Sequence, residues 1–152
     1  MKSFLLFLVG LSLMAGACSR KSQLVNDANT EISFSSVCGW CTGGDSLKIT
    51  PSSSTYLSYK SCDISSAEKT ERSTSETDWK ELMALLDMEK FTAIDLNICN
   101  VCSDGCDSRV TVKKGKINHS ISYGSLDNAA VSEIRPFLEK VKAIRDTYKN
   151  ND

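Results

Sequence analysis

Seven cysteines in 152 residues, five of them crowded into two short segments, constrain this chain more than any other feature. The first segment reads Cys38-Gly39-Trp40-Cys41-Thr42-Gly43-Gly44, followed by Asp45-Ser46. The second reads Cys99-Asn100-Val101-Cys102-Ser103-Asp104-Gly105, then Cys106, then Asp107-Ser108. Both follow the pattern C-x-x-C-[ST]-x-G and then D-S, with one residue inserted in the second. Cys62 stands between them. Such thiols become disulfides, zinc ligands or a redox centre according first to the compartment they occupy, and the amino terminus bears on that.

Lys2 supplies a positive start, and Phe4 to Ala17 is a nearly unbroken apolar run. That run is shorter than the roughly 20 residues a spanning helix needs. A basic start, an apolar centre and small residues at the end describe a signal peptide. The small residues are Ala15, Gly16 and Ala17, and Cys18 follows at once. The order resembles the lipobox of bacterial lipoproteins, in which the cysteine becomes the lipidated first residue. Ala15 stands where that motif usually has Leu, and Ala15-Gly16-Ala17 also fits an ordinary A-x-A cleavage site that would release a soluble protein. Parity favours lipidation: an odd thiol is awkward in an exported protein, and acylating Cys18 leaves six. A buried apolar helix of a cytosolic protein fits less well, because nothing polar alternates with the run.

The expectation is therefore a signal peptide over 1–17, a lipid-anchored polar tether over 18–30 and a single domain over 31–148. The membrane, reached through the lipid on Cys18, is the expected partner. The outer membrane of the bacterial envelope is favoured over the inner. The net charge of −1 becomes about −2 once Lys2 is removed, which is too balanced to suggest a nucleic acid.

Period-two alternation recurs within that domain. Ile32 and Phe34 share one strand face, Leu47 and Ile49 a second, and Thr55, Leu57 and Tyr59 a third. The period then changes. Trp79, Leu82, Met83 and Leu86 fall on one face of a helix, which Ser75 or Thr77 can cap. Ile94, Leu96 and Ile98 alternate again, as do Val110 and Val112. Lys114-Gly115 turns the chain, and Ile117, Ile121 and Tyr123 return. Val131, Ile134, Leu138, Val141 and Ile144 form a long stripe in which Pro136 either opens the main helix or kinks a longer one. Residues 63–78, rich in Ser, Thr and Glu, read as a solvated loop or an edge strand. The predicted fold class is α+β: antiparallel strands with two helices. The expected core includes Trp79, Leu82, Leu86, Ile94, Leu96, Val110, Val112, Leu138 and Val141.

The two cysteine segments raise the prospect of an internal repeat of 31–90 and 91–148, built as two tandem βββα units. The alternative is that two hairpins independently need Gly and Asp in their turns. The chain has an early serine-rich strand with two nearby cysteines, a W-x-x-L-x-x-L-L helix (Trp79, Leu82, Leu85, Leu86), an F-x-x-I-D after it (Phe91, Ile94, Asp95) and a strand pair ending near Tyr123-Gly124. Together these features resemble a family of small uncharacterised lipoproteins common in the Bacteroidota. That family spaces its first cysteine pair one residue wider than Cys38 and Cys41, and Cys102 and Cys106 lie outside its pattern. The resemblance implies an envelope location and a fold, and no activity.

Disulfides are the expected fate of Cys38, Cys41, Cys62, Cys99, Cys102 and Cys106. Six cysteines allow 15 pairings. If the repeat holds, Cys62 and Cys106 would form the bridge outside it, leaving the two C-x-x-C pairs to close locally or to each other. Four thiolates could instead hold zinc, but an oxidising compartment disfavours that, so no metal or cofactor is expected. Cys38 and Cys41 have the spacing of a thiol–disulfide active site, but no helix follows to lower a thiol's pKa. Asp104 and Asp107 lack the alternating acids of a calcium loop. His119, the only histidine, sits among apolar neighbours without a catalytic partner. No catalytic residue is assigned. The function expected is that of an exported, lipid-anchored envelope protein with a binding or structural role toward a protein or glycan. The alternative is an envelope thiol–disulfide oxidoreductase using Cys38 and Cys41.

Overall fold

The computed structural model describes residues 29–61 and 63–150, apart from the side chains of Cys41 and Ile64. The expected signal peptide, the lipid site Cys18 and the tether through residue 28 lie outside the described residues, as does Cys62.

Six strands form one antiparallel sheet: β1 (Thr30–Cys38), β2 (Gly44–Ile49), β3 (Ser53–Tyr59), β4 (Glu68–Ser73), β5 (Cys106–Lys114) and β6 (Ile117–Tyr123). Their spatial order is β4-β3-β2-β1-β5-β6. β1 lies at the centre because it pairs with both β2 and β5, Phe34 standing opposite Leu47 on one side and Val110 on the other. The β5–β6 hairpin turns at Gly115, whose φ of 59° supplies the left-handed first position of a two-residue turn. Helices α1 (Glu76–Leu85), α2 (Met88–Ala93) and α3 (Arg135–Lys149) complete the α+β arrangement.

Alternation gives the sheet two unlike faces. One face carries Ile32, Phe34, Leu47, Ile49, Tyr56, Val110, Val112 and Ile121, all buried beneath the helices. Leu82 of α1, Phe91 of α2 and Phe137, Leu138 and Val141 of α3 complete the core. Ser75 caps α1 by accepting from the Asp78 amide, and Asp87 caps α2 by accepting from the Glu89 and Lys90 amides. Pro136 falls in the first turn of α3, where its missing N–H costs nothing. A 3₁₀ turn over Ala129–Ile134 precedes it and buries Val131 and Ile134. The expected core residues are all buried or, for Trp79, Ile94 and Leu96, packed half-buried against the cluster.

Two expectations need correcting. The halves do not form matching βββα units: four strands come from 31–90 and two from 91–148, in one sheet. The alternation at Ile94, Leu96 and Ile98 makes no regular strand. The segment emerges from α2 and meets β6 in a single parallel bridge, Asn97 to Ser122, with backbone bonds on either side of it. It thereby covers part of an otherwise open sheet edge. The Ser/Thr/Glu-rich stretch, expected as a loop or an edge strand, supplies the opposite edge strand, β4. Its Glu68, Lys69, Glu71 and Arg72 are the exposed charges that keep an edge from pairing with other chains.

Candidate functional site

The two cysteine segments come together at one end of the sheet. β1 ends at Cys38 and β5 begins at Cys106, and these residues are direct partners at the end of the ladder. A disulfide joins them. Just beyond it the Gly39 amide donates to the Gly105 carbonyl at 2.9 Å. A Cβ at Gly39 would lie 2.9 Å from the Asp104 backbone, so glycine is what allows the turns to touch.

The second turn is held from within. A disulfide joins Cys99 to Cys102. The Asn100 carbonyl accepts from the Ser103 and Gly105 amides, both at 2.8 Å. Asp107 accepts from the Asn100 amide at 2.9 Å and the Val101 amide at 3.2 Å. Asp104 adopts φ 64°, a left-handed conformation that short polar side chains tolerate.

The first turn carries the strain. Trp40 has φ 57° and is 81% exposed. A bulky residue in the left-handed region is a rarity costing on the order of 1–3 kcal/mol. Among the described residues the indole gains little burial in return. The indole projects from a base fixed by the Cys38–Cys106 bridge and the Gly39–Gly105 bond.

Beneath the same end, the core face changes character. Ser58, Asp45, Ser36, Ser108 and Tyr123 form a row across five strands. Asp45 is 3% exposed and lies against the carboxyl end of α3. Its carboxylate is 2.6 Å from Lys149 Nζ and 3.1 Å from Arg145 Nε, the latter as an ion pair without hydrogen-bond alignment. Arg145 also stacks over the Phe34 ring at 5.0 Å and pairs with Asp146 at 2.6 Å. Burial pushes the Tyr123 hydroxyl up to about 12, against the opposing pull of Arg145 and a hydrogen bond with Ser108. Burial and then the Asp45 charge push Tyr59 up as well. The cluster clamps α3 to β2 and backs the cysteine turns from behind.

On the open face, a recess of about 400 Å³ adjoins the second turn. Val37, Ile98, Val101, Asn97, Ser35, Ser122, Asp107 and Arg109 contribute to its walls.

The structure brings four of the six predicted disulfide cysteines into this end, in two bonds. Cys106 pairs with Cys38, which replaces the expected Cys62–Cys106 bridge: the two strands ending at Cys38 and Cys106 are neighbours, in register. Cys38 is therefore not bonded to Cys41, the pair a C-x-x-C oxidoreductase would use. The Cys41 side chain, Cys62 and Cys18 lie outside the described residues. His119 is remote from this end. Its Nε2 lies 2.8 Å from the Ile94 carbonyl oxygen, and its ring meets Phe91 edge-on at 5.5 Å, so it is packed and hydrogen-bonded. Among the described residues no group of acids, histidines and cysteines could hold a metal ion, and no helix is long and apolar enough to cross a membrane.

Sequence reasoning passed over Asp45, Trp40 and Arg109. Asp45 had a signal: it shares parity with Leu47 and Ile49, which puts a charge on the apolar face. Trp40 had none, because its exposure follows from a backbone conformation that composition does not reveal. A scan against protein-family models found no match, and a search of curated proteins found none either.

Proposed function

We propose that this protein is exported, lipidated on Cys18 and held at the bacterial envelope, where it binds a partner without chemistry of its own. The address rests on the run Phe4 to Ala17 and the small residues before Cys18. The binding role rests on one observation: Trp40, 81% exposed and in a strained conformation, stands on a base fixed by a cross-strand disulfide. Exposed aromatics on rigid loops lose little conformational entropy on binding, and they anchor many interfaces. Disulfides, glycine contacts and the Asp45 clamp fit a rigid platform, since they hold the loop without filling the space around the indole.

Two measurements test the reading. Detergent phase partition of the full chain should place it in the detergent phase, and Cys18→Ser should move it to the aqueous phase. Titration with envelope glycan and protein fractions, followed by tryptophan emission, should give a saturable change that Trp40→Ala removes. A Cys18→Ser protein that stays in the detergent phase sinks the address. A response unchanged by Trp40→Ala sinks the binding surface. Native thiol titration addresses the oxidoreductase alternative, which requires two low-pKa thiols at Cys38 and Cys41 after mild reduction.

A further inference from the structure

We infer that the recess beside the second cysteine turn is a subsite for an acidic sugar unit, with Arg109 gripping the sugar's carboxylate. The inference rests on the reading above as a binding module and deepens it. Arg109 lies on the open face between Ser35 of β1 and Ser122 of β6. Its Nε donates to Ser122 Oγ at 2.9 Å, and Nη2 donates to Asn97 Oδ1 at 3.4 Å. These two bonds hold the guanidinium in place and leave donors of its five unspent.

No carboxylate among the described residues pairs with Arg109. On the same face Lys48 and Lys113 both reach Glu31, at 3.2 Å each. The nearest acid in the recess wall is Asp107, and its two oxygens accept from the Asn100 and Val101 amides. A positioned guanidinium without an acid partner presents the planar fork that matches a carboxylate.

The walls select among carboxylates. Val37, Ile98 and Val101 supply apolar surface, while Ser35 offers a hydroxyl and Asn97 an amide group. A sugar ring presents both kinds of surface: hydroxyls at its edge and C–H groups on its face. A peptide carboxyl terminus is usually captured by successive backbone amides. The amides of Asn100 and Val101 are here already occupied by Asp107. The volume, about 400 Å³, lies at the lower end of the roughly 300–1,000 Å³ range of small-ligand sites.

The test uses the full chain, isotope-labelled and held in detergent micelles, titrated with glucuronate while amide and Arg side-chain NMR shifts are followed. The expected result is a saturable shift of the Arg109 Nε–H and the Asn97 side-chain amide, weakened in high salt. Glucuronamide, the neutral analogue, should bind at least about tenfold more weakly. N-acetylalanine, carrying a peptide-like terminus, should also be weaker. Arg109→Gln should cost about tenfold or more, and Arg109→Lys, which keeps the charge and loses the fork, should fall between. Equal binding of glucuronate and glucuronamide would overturn the inference, as would tighter binding of N-acetylalanine, an unaffected Arg109→Gln or no saturable shift. Should Arg109→Gln fail to fold, the three ligands on the unaltered protein still decide. A failure here with Trp40 still engaged in the envelope removes the subsite and leaves the binding reading standing.

Discussion

The two cysteine turns share a sequence pattern and one bridge, and differ in what else holds them. The turn at 38–44 is fixed from outside, by a bridge from Cys38 to a strand 68 residues away and by the clamp on Asp45 behind it. The turn at 99–107 shares that bridge through Cys106 and adds ties of its own: a bridge spanning three residues, and amides that converge on Asn100 and Asp107. The difference follows from strand order. β1 is central and ends beside the start of β5, so its cysteine finds a partner across the sheet. Cys99 follows a segment that crosses the sheet edge, and the partner within reach is Cys102. The lesson is that a repeated C-x-x-C pattern fixes glycine-rich turn geometry more firmly than it fixes connectivity.

The largest expected effect comes from the long-range bridge. Its closed loop is long, so the paired substitution Cys38→Ser with Cys106→Ser should lower stability by roughly 4 kcal/mol, read by chemical denaturation. A loss below about 1 kcal/mol would mean that the ladder alone holds this end. Next is the clamp. Asp45→Ala leaves Arg145 nearly buried against β2 without its acid there, and should cost about 3 kcal/mol. The same measurement on Asp146→Ala, at a more exposed pair, should give less than about 1 kcal/mol.

Removing the local bridge, with Cys99→Ser and Cys102→Ser together, should cost roughly 2 kcal/mol, because closing so short a loop restricts the unfolded chain less. Equal losses for the two bridges would erase the contrast between the turns. Peptide mapping without reduction sharpens it further. Cys38 should map to Cys106 and Cys99 to Cys102. Cys41 recovered with Cys38 would reverse the account of the first turn and restore the oxidoreductase alternative.

The smallest effect has the opposite sign. Trp40→Gly should raise stability by about 1 kcal/mol, since glycine adopts φ 57° without strain and the indole packs on little. A destabilisation of that size would show that the indole supports the loop.

Much of the fold was legible in the sequence because its cause is periodic. Ile32, Phe34, Leu47, Ile49, Val110 and Val112 alternate, and Leu82, Leu138 and Val141 recur at helical spacing, so burial follows directly. The segment Ile94 to Ile98 misled for the same reason: alternation reports two faces, and a strand-like crossing at a sheet edge has two faces without a ladder. The six-residue helix Met88–Ala93 was too short to show a period. The site was less legible. The cysteines and glycines announced two turns, but the register that places Cys38 opposite Cys106 depends on β1 pairing with β5, a long-range choice. Arg109 alternates with Val110 like any outward residue on a strand. Its lack of an acid partner emerges only when Glu31 is seen to take both Lys48 and Lys113.

The account turns on Trp40 being held out for a partner, and oxidative footprinting tests this without knowing what the partner is. Hydroxyl-radical labelling of the purified full chain in detergent should modify Trp40 readily and Trp79, half-buried against the core, slowly. In intact envelopes Trp40 should become protected while Trp79 is unchanged. Equal labelling of Trp40 in the two preparations would contradict the account, because the exposed indole would then meet nothing at the proposed location.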